Sequence, residues 1–256
     1  MSYNRLMAWN SFASVNDSLW IGIPKVATTS LYRFWNKKFP TTYYNDNKEF
    51  LESTVSKSQK NLWCVWKDPW ERWLSAVLQD YEIKMHIGQV HNGIKEHKIL
   101  NRYELKDIAN DIIKNWRFGS SNLRNKSFQH SSLYLTRYIT LLWYLANEKC
   151  ICPTIEIYSV KKINEAVKKY FDKDFNNIFF NQSNKNNTLH LETILKENKF
   201  YEKWQKQFYE DIRLNEILSN GVKTFDMQEW KDNIIPKSYT RIDNVYRRIK
   251  LPQKFN

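Results

Sequence analysis

The chain has 256 residues, of which 42% are hydrophobic and 26% charged, a balance typical of one globular domain that excludes a disordered or low-complexity chain. Its 40 lysines and arginines against 27 aspartates and glutamates give a net charge of +13, which favours polyanionic partners, although a solvated lysine-rich surface would give the same charge. No segment approaches the ~20 apolar residues of a membrane span, and the N-terminus lacks the apolar run of a signal peptide, so we expect a cytoplasmic protein.

The first elements are predicted from short apolar runs and helical spacing. Residues 18–24 read as a buried strand that ends at a proline. A helix is predicted from Thr29 to Pro40, because apolar residues recur at i, i+3, i+4 and i+8. A short strand over 41–45 and a polar helix over 47–57 follow.

The second clear strand is predicted over residues 61–67. Asp68 then takes the N-cap position and Pro69 the first helical position, a strong helix start. The following helix carries one apolar stripe that reaches Tyr81. Residues 86–103, with three histidines and two glycines, are predicted to form a loop.

The rest of the chain alternates between helices and one more strand. Helices are predicted over 104–116 and 131–147, a strand over 154–159 and an amphipathic helix over 160–171. An Asn-rich polar loop is expected over 176–188, helices over 190–219 and a patternless basic tail over 237–256. Strands that alternate with helices predict a parallel α/β sheet with right-handed crossovers in one domain, residues 1–256.

The segment IGIPKVATTS (21–30) combines a strand, a tight turn and a helix start. Free N–H groups, the positive end of the helix dipole, Lys25 and three hydroxyls would converge there on an anion such as phosphate. The second glycine of the G-x-x-x-x-G-K-[ST] loop is missing, which argues against an ATP or GTP hydrolase or a nucleotide kinase. A plain strand–helix turn with a Ser/Thr-rich cap would have the same sequence.

The segment WKDPWERWLSA (66–76) is the second candidate site. Lys67 lies at the carboxyl end of a predicted strand, where open α/β sheets bind ligands, and Ser75 lies two turns into the next helix beside its apolar stripe. Arg72 reads as a surface or stabilising cation. A well-capped core helix would explain the aromatic stripe equally well.

Together, IGIPKVATTSL and VWKDPWERWLSA resemble the paired cofactor motifs of the sulfotransferases that use 3′-phosphoadenosine 5′-phosphosulfate (PAPS), in particular the carbohydrate type. The strong resemblance covers about residues 18–81. TIEIYSVKKINEAV and FNQSNKN (180–186) are similar to a later strand and helix and to a polar loop of that family. The resemblance implies a P-loop-like, three-layer α/β fold with a central parallel sheet flanked by helices. Its cofactor-binding core would span about 18–85 and 154–186.

The resemblance also implies roles for particular residues. Those implied to bind the 5′-phosphosulfate are Lys25, Val26, Ala27, Thr28, Thr29 and Ser30. Lys67 and Ser75 would bind the 3′-phosphate, and Lys185 in the polar loop is a further cofactor-binding candidate. The family usually has arginine at the position of Lys67, so here a point charge replaces a two-donor fork.

The implied reaction moves a sulfuryl group from PAPS to an acceptor hydroxyl and leaves the bisphosphate PAP. The resemblance favours a carbohydrate acceptor, and a lipid, a small phenol or a peptide tyrosine are the alternatives. Lys25 and the helix N-terminus would neutralise charge on the leaving oxygen, with no metal expected. A base must remove the acceptor proton. Glu49 is the first candidate and His130 the rival. Glu49 would equally suit a solvated helix face, and His130 a helix start beside Ser131 and Ser132.

Other classes of function remain open at the level of sequence. A nucleic-acid-binding protein would fit the charge and the 40 aromatic residues, but these fall on predicted core stripes and no nucleic-acid module is recognisable. A catalytically inactive protein that binds PAP or another anion is a further alternative. The three cysteines, Cys64, Cys150 and Cys152, are too few for a disulfide framework and lack the second ligand pair of a zinc site.

Overall fold

The computed structural model describes residues 12–15, 18–28, 30–31, 61–85, 102–116, 131, 134–149, 151–171 and 185–234. Five strands form one sheet: β1 (Phe12–Val15), β2 (Ser18–Ile21), β3 (Asn61–Trp66), β4 (Thr154–Ser159) and β5 (Val222–Asp226). The α-helices with bounds in these ranges are α1 (Pro69–Met85), α2 (Arg102–Asn115), α3 (Leu135–Lys149), α4 (Ile163–Phe171), α5 (Lys185–Glu197), α6 (Phe200–Gln207), α7 (Tyr209–Leu218) and α8 (Met227–Asn233). A short 3-10 helix, Val160–Lys162, precedes α4.

The sheet is mixed, with a parallel centre and antiparallel edges. Its order is β1-β2-β3-β4-β5; β2, β3 and β4 run parallel, whereas β1 pairs antiparallel with β2 and β5 with β4. The central parallel strands of the prediction are confirmed. The two antiparallel edge strands were not predicted: the chain adds a short strand before β2 and another after α7.

Helices pack on both faces of the sheet. Side chains alternate along β3, so Trp63 and Trp66 point to opposite faces. Trp63 stacks on Tyr170 of α4 with 4.8 Å between ring centroids, and the Trp66 indole N–H donates to Asn215 of α7 over 3.1 Å. The central strands are therefore covered from two sides, which explains why β2 and β3 are almost wholly apolar.

A second apolar cluster lies among helices α1, α2, α5 and α6. Trp70 and Trp73 of α1 stack on each other at 5.1 Å, and Trp204 of α6 meets Trp70 edge-on at 4.9 Å. The apolar stripe predicted for α1 therefore packs against other helices. Arg72 and Ser75, the polar residues of the candidate site, lie on α1 outside this apolar stripe.

Several predicted boundaries change. The polar loop predicted over 176–188 is wrong at its end, because α5 begins at Lys185, and the predicted loop 86–103 ends where α2 begins at Arg102. Helical structure over 190–219 is confirmed but broken into α5, α6 and α7, with Lys199 in a left-handed conformation (φ 56°) at the first break. The elements predicted over 32–60 and the C-terminal tail lie outside the described residues. The prediction of one domain over residues 1–256 is not tested.

Candidate functional site

The turn after β2 has an unusual backbone. Strand β2 ends at Ile21, and helical backbone begins at Thr28. Between them, Lys25 (φ 68°) and Ala27 (φ 53°) adopt left-handed conformations that non-glycine residues rarely take, whereas Val26 between them does not. Left-handed residues in a turn can direct backbone N–H groups toward an anion, as they do in phosphate-binding loops.

Hydrogen bonds within the turn hold this shape. The Val26 N–H donates to the Ile23 carbonyl over 3.2 Å, and the Thr28 hydroxyl donates to the same carbonyl. The Leu31 N–H donates to the Ala27 carbonyl over 2.9 Å, the first helical bond after the turn. Because the Val26 N–H and the Thr28 hydroxyl donate inside the turn and Ser30 is buried, the other backbone N–H groups and the half-buried Lys25 are the main candidate donors for an anion here. Thr29 lies outside the described residues.

The second motif begins at the carboxyl end of β3. The Asp68 carboxylate accepts the Glu71 N–H over 2.9 Å, which caps α1 as predicted. The Asn215 amide donates to the other oxygen of Asp68 over 3.2 Å and accepts the Trp66 indole N–H, so α7 fixes this corner. The Lys67 side chain is 26% exposed, and its ammonium lies 3.5 Å from the carboxylate of Glu71, which is 63% exposed.

The two motifs lie at one edge of the sheet. Strands β2 and β3 are parallel neighbours, so the turn that carries Lys25 and the residue Lys67 both follow the carboxyl ends of adjacent strands. Strand β4 ends at the same edge, because Ser159 pairs with Trp66. This edge therefore brings together the turn with its two left-handed residues and the first cations that follow β2 and β3.

Arg72 joins the two motifs directly, and sequence reasoning missed this role. Its side chain is 1% exposed, and its Nε–H donates to the Pro24 carbonyl of the turn over 3.3 Å. Burial lowers the pKa of Arg72 to about 10, although the nearby charges of Asp211 and Asp80 oppose this shift, so the guanidinium stays charged at neutral pH. Ser75, one helical turn further along α1, lies on the same side of the helix and is also buried.

The acids around Arg72 are themselves anchored to backbone. Asp80 accepts the N–H and the hydroxyl of Ser131 over 2.9 and 2.7 Å. Asp211 accepts the N–H groups of Leu135 and Thr136 at the start of α3 over 3.0 and 2.9 Å. Burial raises the pKa of Asp211, against the opposing effect of these donors and of Arg72. The sequence did contain a sign of this role: Arg72 lies within the largely apolar segment WERWLSA. A charged side chain that is buried with such a segment needs a partner of opposite charge.

Other candidate residues are not joined to this edge by any described contact. Lys185 is exposed as the first residue of α5, rather than in a polar loop. Glu49 and His130 lie outside the described residues, as do the three histidines of 86–97. Within the described ranges, no group of three histidines, cysteines or acids is arranged to hold a metal ion. Cys64 is a free, buried thiol, and burial raises its pKa, which makes it unreactive.

Comparisons with protein-family models, with curated proteins and with solved structures found no match. Among the described helices, none is both long and apolar enough to cross a membrane.

Proposed function

We propose that the chain is a PAPS-dependent sulfotransferase with a P-loop-like, three-layer α/β fold. One observation carries the proposal: the left-handed turn at Lys25 and Ala27 is bound through Arg72 to the helix that follows Lys67, at the shared carboxyl edge of β2 and β3. An adenosine ligand with a phosphate at each end of its ribose needs two anion sites on one rigid frame. The resemblance of the two motifs supplies the identity of that ligand.

The residues divide between the two ends of the ligand. Lys25, the backbone N–H groups of Ala27 and Thr28, and Thr29 would hold the 5′-phosphosulfate. The Val26 N–H donates inside the turn and Ser30 is buried, so these two residues would shape the site and not bind the anion directly. Lys67 and Ser75 would hold the 3′-phosphate, and Lys185 remains a candidate contact.

In the proposed reaction an acceptor hydroxyl oxygen attacks sulfur in line with the bridging oxygen of PAPS. The new S–O bond forms as the old one breaks, the electron pair leaves with the 5′-phosphate of PAP, and the hydroxyl proton passes to a protein base. Lys25 and the turn N–H groups neutralise charge on the leaving phosphate. Glu49 and His130 are the candidates for the base, and a carbohydrate in the cytoplasm is the proposed acceptor.

Calorimetry with PAP and with 5′-AMP tests the proposal, because only a sulfotransferase-like site needs to recognise the 3′-phosphate. We expect a modest preference for PAP, since Lys67 provides a single ammonium that Glu71 partly neutralises. Lys67→Ala should reduce the preference by about 1.5–3 kcal/mol, the range for a charge-assisted hydrogen bond. Lys67→Arg should preserve or increase it.

Lys168→Ala is the matched control, because Lys168 is an exposed lysine in the last turn of α4, which leads away from the carboxyl edge of the sheet. This variant should keep the preference for PAP. Equal affinity of the unmutated protein for the two nucleotides would rule out the PAPS assignment. A preference for PAP without transfer of labelled sulfate to carbohydrate, lipid, phenol or peptide tyrosine acceptors would favour an inactive PAP-binding protein instead.

A further inference from the structure

The turn that would bind the 5′ anion needs support from outside itself. Lys25 and Ala27 hold left-handed conformations without being glycine, and such conformations persist where the surroundings fix them. The described bonds within the turn converge on the Ile23 carbonyl. The Pro24 carbonyl is instead bound by the Nε–H of Arg72, from another element of the fold.

Arg72 is well suited to fix the turn, because burial and two neighbouring acids hold the Arg72 side chain itself in place. Its guanidinium is buried beside the charges of Asp80 and Asp211. Asp80 is bound to the backbone at Ser131, and Asp211 to the backbone at the start of α3. The cation therefore connects the turn with α1, α3 and α7, which are parts of the chain that are distant in sequence.

We propose that Arg72 is a positioning residue of the anion site, which holds the turn at Pro24–Ala27 in its ligand-binding shape without touching the ligand. The identity of that ligand as PAP or PAPS rests on the proposed function; the effect of Arg72 on the turn does not. Because Arg72 acts on the 5′ side, its loss should weaken every nucleotide that uses the turn by the same factor.

Arg72→Lys is the informative variant, because it keeps a cation between Asp80 and Asp211 and loses the planar donor that reaches Pro24. We expect PAP and 5′-AMP to bind about tenfold more weakly in calorimetry, the lower end of the effect of losing a charged hydrogen bond. The ratio of the two affinities should stay unchanged, in contrast to Lys67→Ala.

Arg137→Lys is the matched control. Arg137 binds the buried Glu210, next to Asp211, through two hydrogen bonds of 3.0 Å. This substitution should lower the melting temperature as Arg72→Lys does, and leave both nucleotide affinities unchanged when each variant is measured well below its melting temperature. Equal losses of affinity in the two variants would mean that Arg72 has a general structural role only.

Hydrogen exchange provides a readout that needs no ligand. Amides of residues 25–28 should exchange faster in Arg72→Lys than in the unmutated protein or in Arg137→Lys, because the turn loses its external support. Unchanged exchange there would overturn the proposal. A changed ratio between PAP and 5′-AMP would also overturn it, because Arg72 would then act on the 3′-phosphate. If the unmutated protein does not distinguish the two nucleotides, the PAPS assignment fails while the exchange result still decides the role of Arg72.

Discussion

At the scale of single residues, Lys25 has the most direct proposed role in the chemistry. It stands in the left-handed turn after β2, half-buried beside the start of a helix, where in the proposed complex its ammonium and the backbone N–H groups would bind the same anion. Lys25→Ala should lower the rate of sulfuryl transfer by at least about a hundredfold, the scale of losing one preorganised charge donor. PAP binding should decrease less, because the N–H groups of the turn remain. Transfer of labelled sulfate measures the first effect and calorimetry the second; near-full turnover would remove Lys25 from the mechanism.

The general base is assigned by comparing two substitutions. If Glu49 removes the acceptor proton, Glu49→Gln should keep the affinity for PAPS and lower the turnover number, because shape and cofactor contacts survive while proton removal does not. His130→Ala should then have the smaller effect on turnover. The reverse order in the same sulfate-transfer assay would give the role to His130.

Single residues also mark the limit of what the sequence predicted at the site. The strand–turn–helix segment and the Asp68 cap were predicted because they depend on local residues. The role of Arg72 was not, because its partners Pro24, Asp80 and Asp211 are brought to it by the fold. The left-handed backbone of Lys25 and Ala27 was hidden as well, since such conformations are usually signalled by glycine or asparagine.

At the scale of secondary-structure elements, the central strands were predictable and the edge strands were not. Strands β2 and β3 are buried on both faces and read as apolar runs. In β5 only Phe225 is buried, and β1 has four residues, so neither carries a period that the sequence reveals. The break between α5 and α6 lies at Lys199. Its left-handed backbone could not be predicted, because such a conformation is usually recognised in a sequence by a glycine.

The packing of α4 on β4 predicts how stability depends on pH. Glu156 of β4 accepts hydrogen bonds from the Tyr158 and Tyr170 hydroxyls and from Lys169. Burial raises the pKa of Glu156, but these donors outweigh burial and the net pKa is lowered. The unfolded chain therefore binds a proton at higher pH than the folded one. The stabilisation is present above the ordinary pKa of about 4.3 and is lost as pH falls through the lower, folded value.

Glu156→Gln should accordingly be less stable than the unmutated protein at neutral pH, and the difference should shrink as pH falls below about 4. Denaturant unfolding at several pH values measures it. Glu165→Gln is the control, because Glu165 is exposed on α4 and its pair with Lys162 is a surface ion pair of little energetic weight. A difference for Glu156→Gln that stays constant with pH would mean that packing, not ionisation, is the source of the stabilisation.

At the scale of the whole molecule, the net charge of +13 produces a positive field that comes from many more residues than the cations of the candidate site. Such a field raises the local concentration of anions and is screened by salt, whereas a hydrogen-bonded cation in a partly buried site is screened less. Each phosphate monoester carries about −1.5 to −2 charges at neutral pH, so PAP has roughly twice the charge of 5′-AMP. The response to salt therefore separates general attraction from recognition of the second phosphate.

We expect PAP to lose more affinity than 5′-AMP when sodium chloride rises from about 0.05 to about 0.5 M, because added salt shortens the Debye length and screens the more highly charged nucleotide more strongly. A preference for PAP should nevertheless remain at the higher concentration, because Lys67 contacts the 3′-phosphate directly in the proposed complex. Lys67→Ala should remove that residual preference. Lys168→Ala, which removes one exposed charge from α4, should leave this residual preference intact.

A single-stranded oligonucleotide tests the alternative that the net charge serves nucleic-acid binding. If the oligonucleotide binds more tightly than PAP at every salt concentration, and PAP and 5′-AMP bind equally at high salt, the charge serves nucleic-acid binding and not a PAPS site.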